Sequence, residues 1–439
     1  MRKIIHSKKF RFALFIATLS LIFYVVAANA GPKKGDKPSA DWSRSLPLGE
    51  NVNGSVALSV DGNGQRAHMI WPYEDESGKH FRYQQMNGQG EATASATLDF
   101  PGHIRTPRLL PAGDETLHLL WASRLQGGAN WELWHVLLGT DGRPGGEVRK
   151  LSPTGEKVGK FVATADYGGG VVVAWDRAGQ SGLVVSHLDQ RGTALSEAIV
   201  VTPQGERPSL KVDASGQAHL AWLHDRSFYY AALPLAALAE VTATEVVDFD
   251  RWDTLNTTGD SLEGPELGYA NGWVYIFSSI VSHTDTEAGT GVAEYVAFPE
   301  SFPSSLKPER LWALPVEEQP YESFDSSFAL SQLSRPFTIY EAAEEYGRDV
   351  DYMSDLAGDW IQLAGAASAY MVSPAAMMGA GAELAVAMAI SQDDGPDSQL
   401  QIATLLFEEG RYLGYSIAGR TAGLSDDPVV AVDERGELH

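Results

Sequence analysis

Cysteine is absent from all 439 residues. No disulfide can staple the fold, and thiolate metal sites, cysteine nucleophiles and lipidation at a cysteine are excluded. Positive charge is also scarce, with 33 Lys and Arg against 57 Asp and Glu and a formal net charge of −24. Such a surface repels nucleic acid phosphates and anionic lipid, so no nucleic acid partner is expected. Several catalytic signatures are missing too. There is no G-x-S-x-G elbow, no phosphate-binding glycine loop and no H-E-x-x-H. Gly168-Gly169-Gly170 reads as a hairpin turn, because no helical pattern follows it to hold a phosphate.

Long apolar runs are absent except at the start. Arg2, Lys3, Lys8, Lys9 and Arg11 form a basic segment ahead of Ala13 to Ala28, which is apolar but for Thr18 and Ser20. Ala28-Asn29-Ala30 places small residues where signal peptidase reads them. Residues 1–30 are therefore expected to be a signal peptide, and the protein exported to the periplasm or beyond the cell. An uncleaved signal anchor is the alternative; the run is shorter than the roughly 20 residues of a spanning helix, and after cleavage no membrane span is expected. Cleavage removes those five positive charges and takes the formal charge from −24 to −29. Residues 31–50 read as a linker.

What the chain has in plenty is a recurring phrase. "VDGNGQRAHMIW" ends at Trp71 and "VDASGQAHLAW" at Trp222. Laid against itself, the chain repeats an apolar stretch, an Asp/Gly turn, and an apolar run closing on an aromatic. The closing residues are Trp71, Trp121, Trp175, Trp222, Phe277, Tyr340 and, by apolar pattern alone, Ile390. Successive spacings are 50, 54, 47, 55, 63 and 50 residues. Each unit reads as a hairpin, since Gly tolerates positive φ and Asp or Asn bonds its own backbone. A third apolar run usually follows, as in "HFRYQQMN" and "GLVVSHLDQRG", with room for a fourth strand.

Units of three to four strands at this period match propeller blades. The predicted fold is an all-β propeller of seven or eight blades over residues 51–439. The expected divisions are 51–100, 101–155, 156–202, 203–261, 262–319, 320–369 and 370–424, with a partial unit at 425–439. Stacked solenoids and paired sandwiches are the alternatives. "AALPLAALAEV" has the composition of a short helix, and Ala375 to Ala389 is read as strands despite its Ala and Met content. The last copy, "DDPVVAVDERGELH", stops at His439. The pattern predicts either that this strand closes the ring or that an eighth blade continues beyond it.

His68, His118, His219 and His439 share one repeat position. Equivalent positions in different blades do not converge on one ion, so local hydrogen bonding is expected and no metal site. Asp61, Asp213 and Asp433 are expected to form Asx turns. Two acidic groups, Asp248, Asp250, Asp253, Asp260 with Glu263, and Asp393, Asp394 with Asp397, offer oxygen ligands suited to calcium without EF-hand spacing. No other cofactor is expected.

Four arginines stand beside prolines at the starts of predicted inner strands: Arg105, Arg108, Arg207 and Arg335. In a propeller those starts cluster at the central channel, where guanidinium groups could hold an anionic ligand or pair with nearby carboxylates.

The repeat of apolar strand, Asp-x-x-Gly turn and His-x-x-Trp resembles the sialidase-like, or BNR-repeat-like, propeller superfamily. That resemblance implies an arginine triad for a substrate carboxylate, a tyrosine nucleophile with its glutamate, and an aspartate acid/base. "HIRTP" is the nearest match to the Phe/Tyr-Arg-Ile-Pro motif and would place Arg105 first in the triad. "SVDGNGQ", from Ser59, begins like an Asp-box and lacks its Thr-Trp. No motif assigns Arg207 or Arg335. Two functions fit the sequence: an exported module binding a carbohydrate, peptide or protein, or a glycoside hydrolase of the sialidase-like type.

Overall fold

The computed structural model describes most of residues 54–300 and, beyond them, the strands between 312 and 417. Residues 1–53, 62–64, 249–260, 301–311 and 418–439 lie outside the described residues, as do the connections between the later strands. The expected signal peptide, the linker, the partial last unit, Asp433 and Arg335 all fall there. So do Asp250, Asp253, Asp260, Asp393, Asp394 and Asp397; Asp248 ends a strand and Glu263 lies in the next one.

Among the described residues, seven four-stranded antiparallel sheets follow one another in chain order. The first is β1 (Ala57–Val60), β2 (Arg66–Asp75), β3 (Gly78–Asn87) and β4 (Ala92–Leu98). The second is β5 (His103–Pro111), β6 (Thr116–Arg124), β7 (Glu132–Gly139) and β8 (Arg149–Lys150). The third is β9 (Val158–Ala165), β10 (Val171–Arg177), β11 (Leu183–Leu188) and β12 (Ile199–Thr202). The fourth is β13 (Glu206–Val212), β14 (Gln217–His224), β15 (Ser227–Pro234) and β16 (Thr244–Asp248). The fifth is β17 (Ser261–Ala270), β18 (Trp273–Thr284), β19 (Glu287–Pro299) and β20 (Trp312–Ala313). The sixth is β21 (Phe324–Leu330), β22 (Pro336–Glu344), β23 (Gly347–Ser354) and β24 (Trp360–Ala364). The seventh is β25 (Met371–Met378), β26 (Glu383–Ser391), β27 (Leu400–Glu408) and β28 (Arg411–Ile417).

Each sheet is a simple meander, and the first strand of each lies against the first strand of the next, from β1 through β25. This is a β-propeller. The Ala- and Met-rich stretch forms β25 and β26 rather than a helix. In "AALPLAALAEV" the first four residues end strand β15, and Leu235–Ala237 form one short 3-10 helix.

The second strands of the second, third and fourth blades read as continuous apolar runs because both their faces are buried. In β10, Val171, Val173 and Trp175 pack toward the second blade, whereas Val172 and Ala174 pack toward the fourth. In β14, Ala218, Leu220 and Trp222 pack back on the third blade, and Ala221 and Leu223 face the fifth. Trp121, Trp175 and Trp222 are fully buried. An aromatic side chain of this kind buries about 150–250 Å², so these closing residues supply much of the blade-to-blade cohesion.

Candidate functional site

The inner strands of four successive blades bend near their starts. The ladder slips between Arg105 and Arg108 in β5, between Glu206 and Ser209 in β13, and between Glu263 and Glu266 in β17. In β9 the slip falls opposite Trp175 and Arg177. Pro107, Pro208 and Pro265 sit at three of these bulges, where a missing N–H costs the ladder nothing. The residues before them take left-handed backbone: Thr106 at φ 53°, Arg207 at φ 53° and Gly264 at φ 101°. For a β-branched Thr this conformation is strained, and such strain gathers at functional sites.

One buried carboxylate ties two bulges together. Asp176, directly after Trp175, accepts the Lys160 backbone N–H at 2.9 Å and the Arg207 backbone N–H at 3.0 Å. A Cβ at position 159 would collide with that carboxylate, so Gly159 is required there. Sequence reading passes over Asp176; the only signal is an acid at the end of an apolar strand.

The bulges surround a cavity of about 600 Å³, well within the range of small-molecule sites. Arg105, Arg108, Lys160 and Arg207 line it, so three of the four arginines named from sequence are brought together. Nothing in the sequence marks Lys160, because no proline stands at its bulge. The Arg105 guanidinium lies 3.9 Å from the centre of the Trp131 ring, and Arg124 shares that ring at 5.1 Å. This stack pre-orients Arg105. Arg108 is half-buried, and its one side-chain hydrogen bond goes to the neighbouring Pro107 carbonyl at 3.4 Å. Burial pulls both arginines below their ordinary pKa, with Arg124 adding to the effect on Arg105. Among the described residues neither arginine, nor Lys160, forms an ion pair. Glu266 is the one carboxylate on the lining. The cavity therefore carries uncompensated positive charge on a strongly acidic chain.

The other end of the hairpins is built from the repeat's own carboxylates. Asp61 Oδ1 accepts the N–H groups of Gln65 and Arg66, and its Oδ2 takes Arg66 Nε at 2.8 Å. Asp166 accepts from Gly168 N, Gly170 N and His187 Nε2, each at 2.7 Å. Burial pushes the Asp166 carboxyl up, but the His187 and backbone hydrogen bonds outweigh it and hold the group below its usual range. Asp213 Oδ1 accepts from Ser215 N and Gln217 N. These are Asx turns, and the Gly168–Gly170 run is one of them.

Beneath these turns the repeat histidines bond locally and reach toward the following blade, while Trp121, Trp175 and Trp222 face the preceding one. His68 Nδ1 bonds Tyr83 Oη at 2.7 Å, and Tyr83 donates to the Thr140 carbonyl of the second blade. His118 Nε2 donates to the Gly169 carbonyl of the third blade and its Nδ1 accepts from His135. His219 stacks on Tyr269 of the fifth blade. Trp121 stacks instead on Phe100, at 4.3 Å. Burial, then the Arg66 charge, pulls His68 down to about 4 against a smaller opposing pull from Asp61; burial takes His135 to about 3.

No protein-family model matches the chain, and no curated protein matches it by sequence. Solved structures do. The chain is similar to prolyl oligopeptidase B from Galerina marginata, with a TM-score of 0.50 and 13% identity over 88% of this chain and 55% of that one. It is also similar to the polysaccharide lyase Uly1, with a TM-score of 0.49 and 12% identity over 88% and 95% of the two chains. The endo-arabinase of Bacteroides thetaiotaomicron follows, with a TM-score of 0.36 and 11% identity over 71% and 97%. At these identities the likeness is one of fold.

Proposed function

We propose that the chain is an exported β-propeller that binds an anionic carbohydrate, a sugar bearing a carboxylate, at the basic cavity. The observation that carries this reading is the convergence of Arg105, Arg108 and Lys160 on one cavity with no ion pair among the described residues. Charge-assisted bonds from guanidinium to carboxylate are strong and directional. Phe161, Pro208 and Phe277 on the same lining supply apolar surface for a sugar ring. Export rests on the basic and apolar pattern of residues 1–30.

Binding is favoured over hydrolysis for a chemical reason. Glycosidases work with two carboxylates about 5–9.5 Å apart, or with a tyrosine nucleophile in the sialidases. Among the described lining residues Glu266 is the one carboxylate, and none is tyrosine. The sialidase-like resemblance thus extends, in this reading, to carboxylate recognition without turnover, and no cofactor is called on.

The test is calorimetric titration with uronate-bearing, sialylated, sulfated and neutral oligosaccharides, with product analysis on each. Carboxylated sugars should bind best. Arg108→Ala should weaken them about 10–100-fold, the worth of one charged hydrogen bond of about 1.5–3 kcal/mol. Equal affinity for neutral sugars, or no effect of the substitution, would defeat the proposal. Hydrolysis abolished by Arg105→Ala would restore the enzyme reading.

A further inference from the structure

The turn end of the fourth blade departs from its sister copies. In the first and third blades the outer carboxylate oxygen of the Asx turn meets a nitrogen donor: Arg66 Nε for Asp61 and His187 Nε2 for Asp166. The fourth copy, "VDASGQAH", is one residue shorter than "VDGNGQRAH", and Arg66 has no counterpart in it. Asp213 Oδ2 shares the single Ser215 hydroxyl hydrogen with Oδ1, and the Tyr269 hydroxyl stands close enough to Asp213 to interact with it as well. Glu300, just past β19 of the fifth blade, closes the group, its Oε2 accepting from Tyr269 Oη at 2.8 Å. Two carboxylates thus meet with no Lys or Arg pairing among the described residues.

His219 points into this group. It is fully buried, its Nδ1 is bonded to Tyr230 Oη at 2.8 Å, and its Nε2 has no hydrogen-bond partner. Nε2 lies 3.5 Å from Asp213 Oδ2. That is long for a hydrogen bond. It fits two ligands each about 2.1 Å from one ion at a tetrahedral angle, which stand about 3.4 Å apart. One ligand atom from each of Asp213, His219 and Glu300 lies within 4.8 Å of the others. Tyr230 and the stacked Tyr269 ring, 4.0 Å away, hold the imidazole as outer partners do in metal sites.

We propose that Asp213, His219 and Glu300 bind a divalent transition-metal cation of the zinc class and clasp the fourth blade to the fifth. Imidazole with two carboxylates suits zinc, whereas calcium and magnesium prefer oxygen alone. This reverses the expectation of no metal site. A ring of equivalent histidines does not converge, but one histidine with its own turn and the next blade does.

The experiment is zinc titration of the full chain after chelation, followed by calorimetry and thermal unfolding, with calcium titrated in parallel. One zinc per chain should bind and raise Tm. Glu300→Gln, nearly isosteric and partly exposed, should weaken zinc about a hundredfold or more, since losing an outer partner alone costs about 10–100-fold. Tyr230→Phe should fall within that smaller range, and Asp61→Asn should leave zinc affinity unchanged. No saturable site, unchanged affinity in Glu300→Gln, or calcium binding in place of zinc would each overturn the proposal. None of these outcomes bears on the basic cavity, which lies at the opposite end of the hairpins.

Discussion

The two ends of the blade hairpins handle charge in opposite ways. At the turn end the carboxylates of Asp61 and Asp166 are met by backbone N–H groups and by a nitrogen from a nearby side chain. At the other end Arg105, Arg108 and Lys160 face a cavity with no carboxylate paired to them among the described residues. An acidic chain could have neutralised three cations with ease. Satisfied charge serves folding; charge left unsatisfied at a strained, bulged rim is what a ligand is able to use.

The contrast can be broken first by pH. His68 has an ordinary pKa of about 6.5 when unfolded and about 4 when folded. The unfolded chain therefore takes up a proton that the folded one refuses. Stability should fall as pH drops from about 6.5 to 4, by up to about 1.4 kcal/mol per pH unit from this residue. Chemical unfolding across that window should show the slope; His68→Gln should make it shallower by that share, since the buried His135 contributes with the same sign. The arginines of the cavity stay charged throughout, so the decline belongs to the turn end.

Removing a turn carboxylate comes next in size. Asp166→Ala leaves two N–H groups and the His187 Nε2–H without an acceptor, and should cost about 2 kcal/mol of unfolding free energy. The depressed pKa adds a sign: what Asp166 contributes is present above its unfolded pKa of about 3.9 and lost as pH falls through the lower folded value. Oligosaccharide affinity should not change. A loss of binding in this variant would mean that the two ends are coupled.

The smallest effect has the opposite sign. Arg108→Met replaces a half-buried, unpaired cation with an apolar chain of similar length. Unfolding experiments should show a gain of about 1 kcal/mol, while binding is lost. A destabilised variant would place Arg108 among the structural residues and weaken the case for the cavity.

Much of this was legible in the sequence, for reasons that particular residues make plain. The Trp71, Trp121, Trp175, Trp222 and Phe277 series marks the blades because each must fill the same wedge against its neighbour. The Asx turns were legible at Asp61 and Asp213 because that chemistry is local. Arg105, Arg108 and Arg207 could be singled out because Pro marks a bulge at a strand start. Lys160 and Asp176 could not, since nothing near them in sequence announces the bulge they serve. The grouping of Glu300 with Asp213 was also hidden, because 87 residues separate them and only blade stacking brings them together.

The sequence by itself determined the repeat, the hairpin chemistry of each turn and the sign of the overall charge. These follow from near neighbours, through backbone preference and apolar alternation. The tertiary structure decided which charges meet. Whether an arginine ends beside a carboxylate or facing open space depends on how adjacent blades stack, and no local rule carries that information. Stacking left Arg105, Arg108 and Lys160 without an ion pair among the described residues and gathered two carboxylates near the open Nε2 of His219, and both candidate sites follow from it.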